Sequence, residues 1–451
     1  MRFYLALIIS KFYLFINKCI GKEKSDKAGL LAARIYPDIL SKINKPKLVV
    51  MVTGTNGKTT ISSLITDILR LEGKKVSFND WGANMLAGHI RCLIDSVNIL
   101  NKPNKDVAIL ECDELTTNYT IPAVKPDYVI VTNLCRDSIR RNSYPEYIFN
   151  RINTGLNNSV NTKVILNSDD PISSFLGENN EKTFISMNKV VDNAYKNISN
   201  DINVCPKCNS IIEYEYRHYR HLGKFYCPNC GLTNYKPDYV IESINDNNII
   251  INGNEYKKLS NNIFNAYNEA MVIVFLEKLG YGITHIKEVI SKVNIPKSRE
   301  NKEIINGIKV YAQLAKGQNA SAVSTVLESL TKKEDKKQII LLLDEDYGNV
   351  DANETIDWLY NTDFELLNSL NLEKVIITGP RYLDYIARFK FAGISDDKVV
   401  SFPDYKDVIN YVSLDGNSSI YVLYDVDKRP IGEFVYESIK TRIKNEVSKW
   451  K

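Results

Sequence analysis

Lys47-Leu48-Val49-Val50-Met51-Val52-Thr53-Gly54-Thr55-Asn56-Gly57-Lys58-Thr59-Thr60 joins a short apolar run to a loop with two glycines, a lysine and paired threonines. A loop that cradles phosphates needs glycines, so that backbone N–H groups can turn inward. It also needs a lysine for the β and γ oxygens and a hydroxyl for Mg²⁺. Gly54, Thr55, Asn56 and Gly57 supply the turn, Lys58 the charge, Thr59 the metal-side hydroxyl, and Thr60 opens a helical stretch. From Thr60 to Leu71 apolar residues recur at Ile61, Leu64, Ile65, Ile68 and Leu69, the period of a helix buried on one side. Such a helix aims its N-terminal dipole at the bound anion. The loop departs from the general formula in one respect: two residues, not four, separate Gly54 from Gly57. Strand, loop and helix together predict an ATP site.

Further short apolar runs at Val107–Leu110, Tyr128–Val131 and Lys163–Leu166 read as buried strands, with helical stretches between several of them. Alternation of this kind predicts an α/β fold with a mostly parallel sheet covered on both faces. Such sheets bind ligands beyond the carboxyl ends of their strands. Glu111, directly after Val107–Leu110, is therefore the candidate Mg²⁺-side and catalytic carboxylate, the other reading being a solvated acidic loop over Glu111–Glu114. Asn188 to Tyr239 is polar and breaks the rhythm, as an insertion would. Phe264–Leu279 reads as a helix ended by Gly280 and Gly282. After Pro296, strands at Lys309–Tyr311, Gln338–Leu343, Lys374–Thr378 and Ser419–Leu423 predict a second, smaller α/β domain. The organisation is a helical segment over 1–45, a central ATP-binding domain over 46–295 with its insertion at about 200–236, and a C-terminal domain over 296–451.

The insertion holds Cys205-Pro206-Lys207-Cys208 and Cys227-Pro228-Asn229-Cys230, with 18 residues between the two pairs. Two such pairs form two knuckles around a tetrahedral Zn²⁺. Disulfides are disfavoured inside a cell, and a redox pair needs only one of the two motifs. Four thiolates leave no open coordination position, so the zinc is structural. Cys19, Cys92, Cys112 and Cys135 are scattered and read as reduced thiols, which places the protein in the cytoplasm. The 451 residues are 44% hydrophobic and 25% charged, as in soluble globular proteins, and their number suggests roughly three domains. A net charge of +4, with no basic stripe interleaved with aromatics, excludes a nucleic-acid-binding signature. Only His89, His218, His221 and His285 are present. No Ser/His/Asp or Cys/His pattern emerges from them, so the chain carries no hydrolytic nucleophile–base signature of its own. Phe3 to Ile20 is apolar apart from Lys11, Asn17 and Lys18 and a few small polar positions. Its apolar run is too short to span a bilayer, and no small-residue cleavage site comes after it. It reads as an amphipathic helix, either packed on the protein or resting on a membrane surface.

Together these residues resemble the Mur ligase family, which joins amino acids to peptidoglycan precursors through an acyl phosphate. The loop Thr53–Thr60 carries the first likeness. Asn79-Asp80-Trp81-Gly82-Ala83-Asn84-Met85, Leu110-Glu111-Cys112-Asp113-Glu114, Thr132-Asn133-Leu134-Cys135-Arg136-Asp137 and Leu166-Asn167-Ser168-Asp169-Asp170-Pro171 extend it along the chain. Phe264-Asn265-Ala266-Tyr267-Asn268 is similar to the family's adenine-side Asn pair, and Ser298-Arg299-Glu300 to its Gly-Arg-x-Glu turn. A zinc ribbon inside the central domain marks the MurT-type branch of that family, the ligase-like subunits of lipid II isoglutaminyl synthase. Tyr219–Cys230 is similar to the second knuckle there.

The resemblance implies an ATP- and Mg²⁺-dependent ligase working at the cytoplasmic membrane face. It would activate the α-carboxyl of D-glutamate in lipid II and amidate it with ammonia from a GatD-type glutaminase partner. Lys58, with Mg²⁺ on Thr59 and Glu111, would neutralise the transferring phosphoryl. Asn265 and Asn268 would bracket the adenine, Arg299 would meet the ribose or phosphates, and Asn84, Asn133 and Asp137 would sit near metal and acceptor. Taken singly, an Asn is more often a cap or turn residue. The C-terminal domain departs from the pattern. Leu314-Ala315-Lys316 is followed by Gly317-Gln318 where the branch has Asn-Pro. The acidic run that would complete the partner's catalytic triad reads Asp344 to Trp358, with Thr355 at the expected aspartate. Asp357 is the substitute catalytic candidate, Asp351 the second, and a solvated loop the third reading. A diverged paralogue with another acceptor or nitrogen donor, or a nucleotide-binding regulatory scaffold, are the alternatives that these departures leave open.

Overall fold

A computed structural model describes residues 1–21, 25–80, 83–136, 144–190, 201–295, 300–315, 317, 319–344, 356–425 and 428–447. These fall into two compact units that divide near residue 296.

The first unit is built on β1 (Leu48–Thr53), the strand that feeds the phosphate loop. Its residues alternate between two cores. Val50 and Val52 join one cluster, while Val49 and Met51 join the other. A strand buried on both faces reads as an unbroken apolar run, and this is why Leu48–Val52 carries no polar alternation. Parallel neighbours flank it: β3 (Val107–Glu111) on one side and β4 (Tyr128–Val131) on the other. With β2 (Val76–Phe78), β5 (Lys163–Asn167) and β6 (Lys182–Met187) these form the parallel part of a nine-stranded sheet. The sheet continues through β9 (Tyr239–Ile244), parallel to β6, then β10 (Asn248–Ile251) and β11 (Asn254–Lys257), which turn back antiparallel. Periodicity does not reveal this edge, because each strand is only four to six residues long and carries polar residues among its apolar ones. Between β6 and β9 the chain leaves the sheet, and there β7 (Glu213–Tyr219) and β8 (Leu222–Tyr226) form a separate hairpin.

Helices cover both faces. On one face lie α4 (Lys58–Leu71), whose Ile61, Leu64, Ile65, Ile68 and Leu69 all enter the core, and the helix Ile263–Lys278. The second is buried along its length from Ala266 to Leu276, as a helix apolar on every side must be. On the other face lie α1 (Arg2–Cys19), α2 (Lys27–Ile35), α3 (Ile39–Lys42), α5 (Leu86–Asp95) and α6 (Thr117–Val124). The N-terminal helices therefore belong to the same compact unit as the phosphate loop.

The second unit holds a six-stranded sheet in the order β12-β13-β17-β14-β15-β16: Glu300–Ile305, Ile308–Leu314, Ser419–Tyr424, Lys337–Leu342, Leu372–Thr378 and Val399–Phe402. Five strands run parallel and β12 pairs antiparallel at the edge. The two-residue turn between β12 and β13 is Asn306-Gly307, both with positive φ, the conformation that closes a tight hairpin.

Candidate active site

The phosphate loop is fixed by its neighbours more than by itself. Gly54 (φ +115°) and Gly57 (φ +91°) both occupy backbone regions closed to other residues. A Cβ on Gly54 would lie 2.2 Å from Thr132 Oγ1, and one on Gly57 would lie 2.4 Å from Asn268 Oδ1. The loop is latched to the end of β4. Thr55 N donates to Asn133 O at 2.8 Å, and Asn133 Nδ2 donates to Asn56 O at 3.1 Å. The Thr55 hydroxyl donates to Cys135 O at 3.1 Å and accepts from Cys135 N at 3.0 Å. Thr60 lies in the first turn of α4.

Two charged side chains point to the loop from the end of β3. Lys58 Nζ donates to Glu114 Oε1 at 2.8 Å and to Gly54 O at 2.5 Å. Burial opposes the lysine charge, but Glu114, together with Asp113 and Glu111, outweighs it and raises the Lys58 pKa. Burial pushes the Glu114 carboxyl up in turn, against the pull of Lys58. The Lys58 shift favours the ion pair and the Glu114 shift works against it; the 2.8 Å contact is the stronger indication of a formed pair, since losing either partner would leave a buried charge uncompensated. Next along α4, the Thr59 hydroxyl donates to Glu111 Oε1 at 3.1 Å. Glu111 is the last residue of β3 and is buried, not part of a solvated loop.

Its backbone is pinned on both sides. Glu111 N donates to Asn79 Oδ1 and Asn79 Nδ2 donates to Glu111 O, each at 2.8 Å. His89 Nε2 lies 3.0 Å from the same carbonyl and its Nδ1 3.2 Å from Thr120 Oγ1. Burial lowers the His89 pKa to about 4, so the ring is neutral there. A hydroxyl–carboxylate pair beside a loop of inward backbone donors is a donor set that fits Mg²⁺ and a nucleoside triphosphate.

Asn268 is buried against Gly57, and its Nδ2 donates to Asn265 Oδ1 at 3.1 Å, one helical turn earlier. Asn265 Nδ2 donates in turn to Ser260 Oγ at 2.9 Å. The Asn pair thus lines the helix Ile263–Lys278 where it meets the loop. Asn84 contributes its carbonyl, which accepts from Asp113 N at 2.8 Å. Asp357 opens the short helix Asp357–Asn361 of the second unit and is exposed. Arg299, Asp137, Asp351, Thr355 and most of the Asp344–Trp358 run lie outside the described residues. Sequence reasoning passed over Glu114, Asn79 and His89. The first two stand inside the Mur ligase-like motifs but carry no separate signal.

The four cysteines of the insertion come together. Every pair of their sulfurs lies within 4.8 Å, with Cys205 Sγ to Cys230 Sγ at 3.6 Å and Cys208 Sγ to Cys227 Sγ at 3.4 Å. Thiolates bound to zinc at about 2.3 Å span tetrahedral edges of about 3.8 Å, so the set fits a Zn²⁺ ion. Each knuckle closes the same way. Asn209 N donates to Cys205 O and Gly231 N to Cys227 O, both at 2.9 Å, and Asn209 and Gly231 both take positive φ.

The β7–β8 hairpin is stitched to the sheet at Asp169 and Asp170. Gly223 N donates to Asp169 O at 2.9 Å, and Asn234 Nδ2 donates to Asp169 Oδ1 at 3.2 Å and Gly223 O at 2.9 Å. At the hairpin tip, His221 lies between two carboxylates, Nε2 at 3.2 Å from Asp170 Oδ1 and Nδ1 at 3.2 Å from Asp201 Oδ2. Arg220 Nε donates to that same Asp201 oxygen at 3.2 Å. Burial works against the His221 charge, but the two carboxylates overcome it and raise its pKa to about 9. Asp170 Oδ2 also accepts from Leu134 N at 2.9 Å. One charged cluster therefore touches the ribbon on one side and the wall of the phosphate loop on the other.

A family model of the Mur ligase middle domain matches residues 52–229, and one of the MurT ligase C-terminal domain matches residues 316–426. The lipid II isoglutaminyl synthase (glutamine-hydrolyzing) subunit MurT of Staphylococcus aureus (strain COL) is 29% identical over 415 residues, 90% of this chain and 92% of that one. The same subunit of Streptococcus pneumoniae (strain ATCC BAA-255 / R6) is 24% identical over 434 residues, 93% of each chain. Among solved structures, a pseudomurein peptide ligase type C from Methanothermus fervidus superposes with a TM-score of 0.67 at 19% identity, covering 90% of this chain and 81% of that one. A MurF ligase from Thermotoga maritima in complex with ADP gives 0.57 at 14% identity, covering 92% and 85%. These two share the fold. The chain therefore carries a Mur ligase middle domain over residues 52–229 and a C-terminal domain of the MurT type over residues 316–426.

Proposed function

We propose that this chain is the ligase subunit of an ATP-dependent amidation in peptidoglycan synthesis. It activates the α-carboxyl of D-glutamate in the lipid II stem peptide and converts it to D-isoglutamine with ammonia from a GatD-type glutaminase subunit. The observation that carries the reading is the Thr59–Glu111 and Lys58–Glu114 pairing around a latched phosphate loop in a MurT-type chain. The names of the two MurT relatives supply the acceptor and the glutamine.

A carboxylate is a poor acyl donor because oxide is a poor leaving group. Its oxygen attacks the γ-phosphorus of ATP, ADP departs, and an acyl phosphate forms. Ammonia then attacks the carbonyl carbon, phosphate leaves with the former carboxylate oxygen, and the nitrogen loses a proton. The chain's task in the first step is positioning and charge neutralisation. Loop N–H groups orient the phosphates, and Lys58 moves its charge from Glu114 toward the transferring oxygens. Thr59 and Glu111 would hold Mg²⁺, which when bound spreads the phosphate charge further. Asn79 and His89 keep Glu111 in place by holding its backbone. Asn265 would face the base, with Asn268 spacing it from the loop, and Asn84, Asn133 and Arg299 complete the nucleotide side. Cys205, Cys208, Cys227 and Cys230 would hold a structural Zn²⁺. Asp357 is the candidate that completes the partner's triad. Amidation takes place where the lipid-linked acceptor is presented, at the cytoplasmic face of the membrane.

Reconstitution with lipid II, ATP and Mg²⁺ tests the reading, with free ammonia compared against glutamine plus a glutaminase subunit. Amidation from both sources is expected. Amidation from ammonia alone would remove the coupled-subunit reading, and no amidation would remove the acceptor. The second reading, a diverged paralogue with another acceptor or nitrogen donor, is favoured by one observation: Thr355 stands where the acidic run calls for aspartate.

A further inference from the structure

α1 is seated with its wheel reversed. The residues it buries include Ser10 and Asn17 beside Ala6 and Leu7, and the Ser10 hydroxyl has no hydrogen-bond partner among the described residues. The residues it turns outward are large and apolar: Phe12 and Phe15 are each 63% exposed, Leu5 51% and Ile8 50%, with Tyr4 and Ile16 beside them. At about 3.6 residues per turn, Tyr4, Phe15, Ile8, Phe12, Leu5 and Ile16 succeed one another around a single outward arc. Lys11 and Lys18 border that arc on one edge and Arg2 on the other, and the helix contains no acidic residue. Scattered exposed apolar side chains need no explanation, but a continuous arc does.

We propose that α1 is an in-plane anchor that lays this chain on an anionic lipid surface. The arc would sink into the boundary between headgroups and acyl chains, while the lysines extend their stems along it and leave their ammonium groups among the lipid phosphates. No helix of the described residues is long and apolar enough to cross a membrane, so the contact is peripheral. Lipid is the chosen occupant because the helix's own charges at both edges of the arc have one sign. A protein interface would carry a mixed polar rim, whereas a phosphate surface is complemented by basic residues alone. At the Lys11 edge, Asp95 at the end of α5 and Lys105 in the loop after it form an ion pair at 3.7 Å and offset one another.

The inference extends the proposed membrane-face location, and its test is kept separate from the acceptor. Full-length protein is mixed with sucrose-loaded vesicles of phosphatidylglycerol and phosphatidylcholine, or of phosphatidylcholine alone, neither containing any peptide-bearing lipid. The chain should sediment with the anionic vesicles and be released by salt. Phe12→Glu with Phe15→Glu should lower the partition about tenfold or more, with thermal melting and ATP hydrolysis unchanged. Lys11→Gln and Lys18→Gln should each lower it about fivefold. Failure of the unsubstituted chain to bind either vesicle overturns the proposal, as does undiminished binding of the double Phe variant. Self-association that the double Phe variant abolishes, without vesicle binding, assigns the arc to a second copy and also overturns it. Amidation of a detergent-solubilised acceptor is the independent readout for the proposed activity, so either reading can fail alone.

Discussion

The phosphate loop and the zinc ribbon hold their ligand groups by opposite means. The loop has little structure of its own. Gly54 and Gly57 let it bend, but its position comes from Asn133 and Cys135 at the end of β4, from Asn268 on a distant helix, and from Glu111 and Glu114 at the end of β3. The ribbon is local. Each knuckle closes through a hydrogen bond four residues long and a single positive-φ residue. Its small apolar cluster is Ile212 with Cys205 and Cys227, too little to fold on without a metal. A site assembled from distant elements is as stable as its domain, whereas a site assembled locally is as stable as its ion. Asp170 and His221 mark a place where the two meet at charged groups.

Four measurements would sharpen or break that contrast. Stripping the metal with a chelator should unfold the ribbon, since structural zinc contributes on the order of 10 kcal/mol. Metal analysis before treatment should give about one zinc per chain, and protease nicking within the insertion should report the loss. Protection against nicking that survives full metal removal would end the locality argument. Lys58→Ala should lower ATP turnover about 10³-fold, as loss of a donor to developing charge does, with the zinc content unchanged. Glu114→Gln keeps the shape of the side chain but leaves Lys58 buried without a counter-charge. A destabilisation of about 3 kcal/mol in chemical denaturation is expected, and an unchanged midpoint would mean that the pair is not formed.

His221→Gln is the smallest change and the most specific. The folded pKa of His221, about 9, lies above its ordinary value near 6.5. Its contribution is therefore fully present below about pH 6.5 and is lost as pH rises through about 9. The native chain should exceed the variant by about 2–3 kcal/mol at about pH 6, and the difference should shrink from about pH 6.5 upward and be almost gone above about pH 9. A difference that does not change with pH would show that His221 acts only through its shape.

Each signal is legible in the sequence to the extent that it is local. The apolar face of α4 can be read residue by residue, because helical periodicity is contained in one turn and the next. Thr59 and Glu111 can be paired because the helix that follows β1 and the carboxyl end of β3 meet on the same edge of a parallel sheet. The four cysteines are legible from spacing alone. The sheet edge Tyr239–Lys257 is not, since strands of four to six residues gain their register only by pairing, β9 with β6 and then β10 and β11 in turn. Glu114, Asn79 and His89 are also illegible as a group. Their roles depend on partners 56, 32 and 22 residues away, at separations that no periodicity encodes.

The matched knuckles carry one more consequence. Cys205 and Cys227, Cys208 and Cys230, and Asn209 and Gly231 each stand 22 residues apart, and the flanking bridges Val204–Ile211 and Tyr226–Thr233 keep the same offset. The ribbon is thus a pseudo-twofold object whose halves are related through the ion, and symmetry alone gives it no preferred way to face the sheet. Asn234 breaks that equivalence by tying the second half alone to Asp169 and Gly223. Orientation of the ribbon is therefore a separable property from its formation: a chain altered at Asn234 would still collect its metal, and its docking would rest on the remaining ties, those of Gly223 and His221 among them.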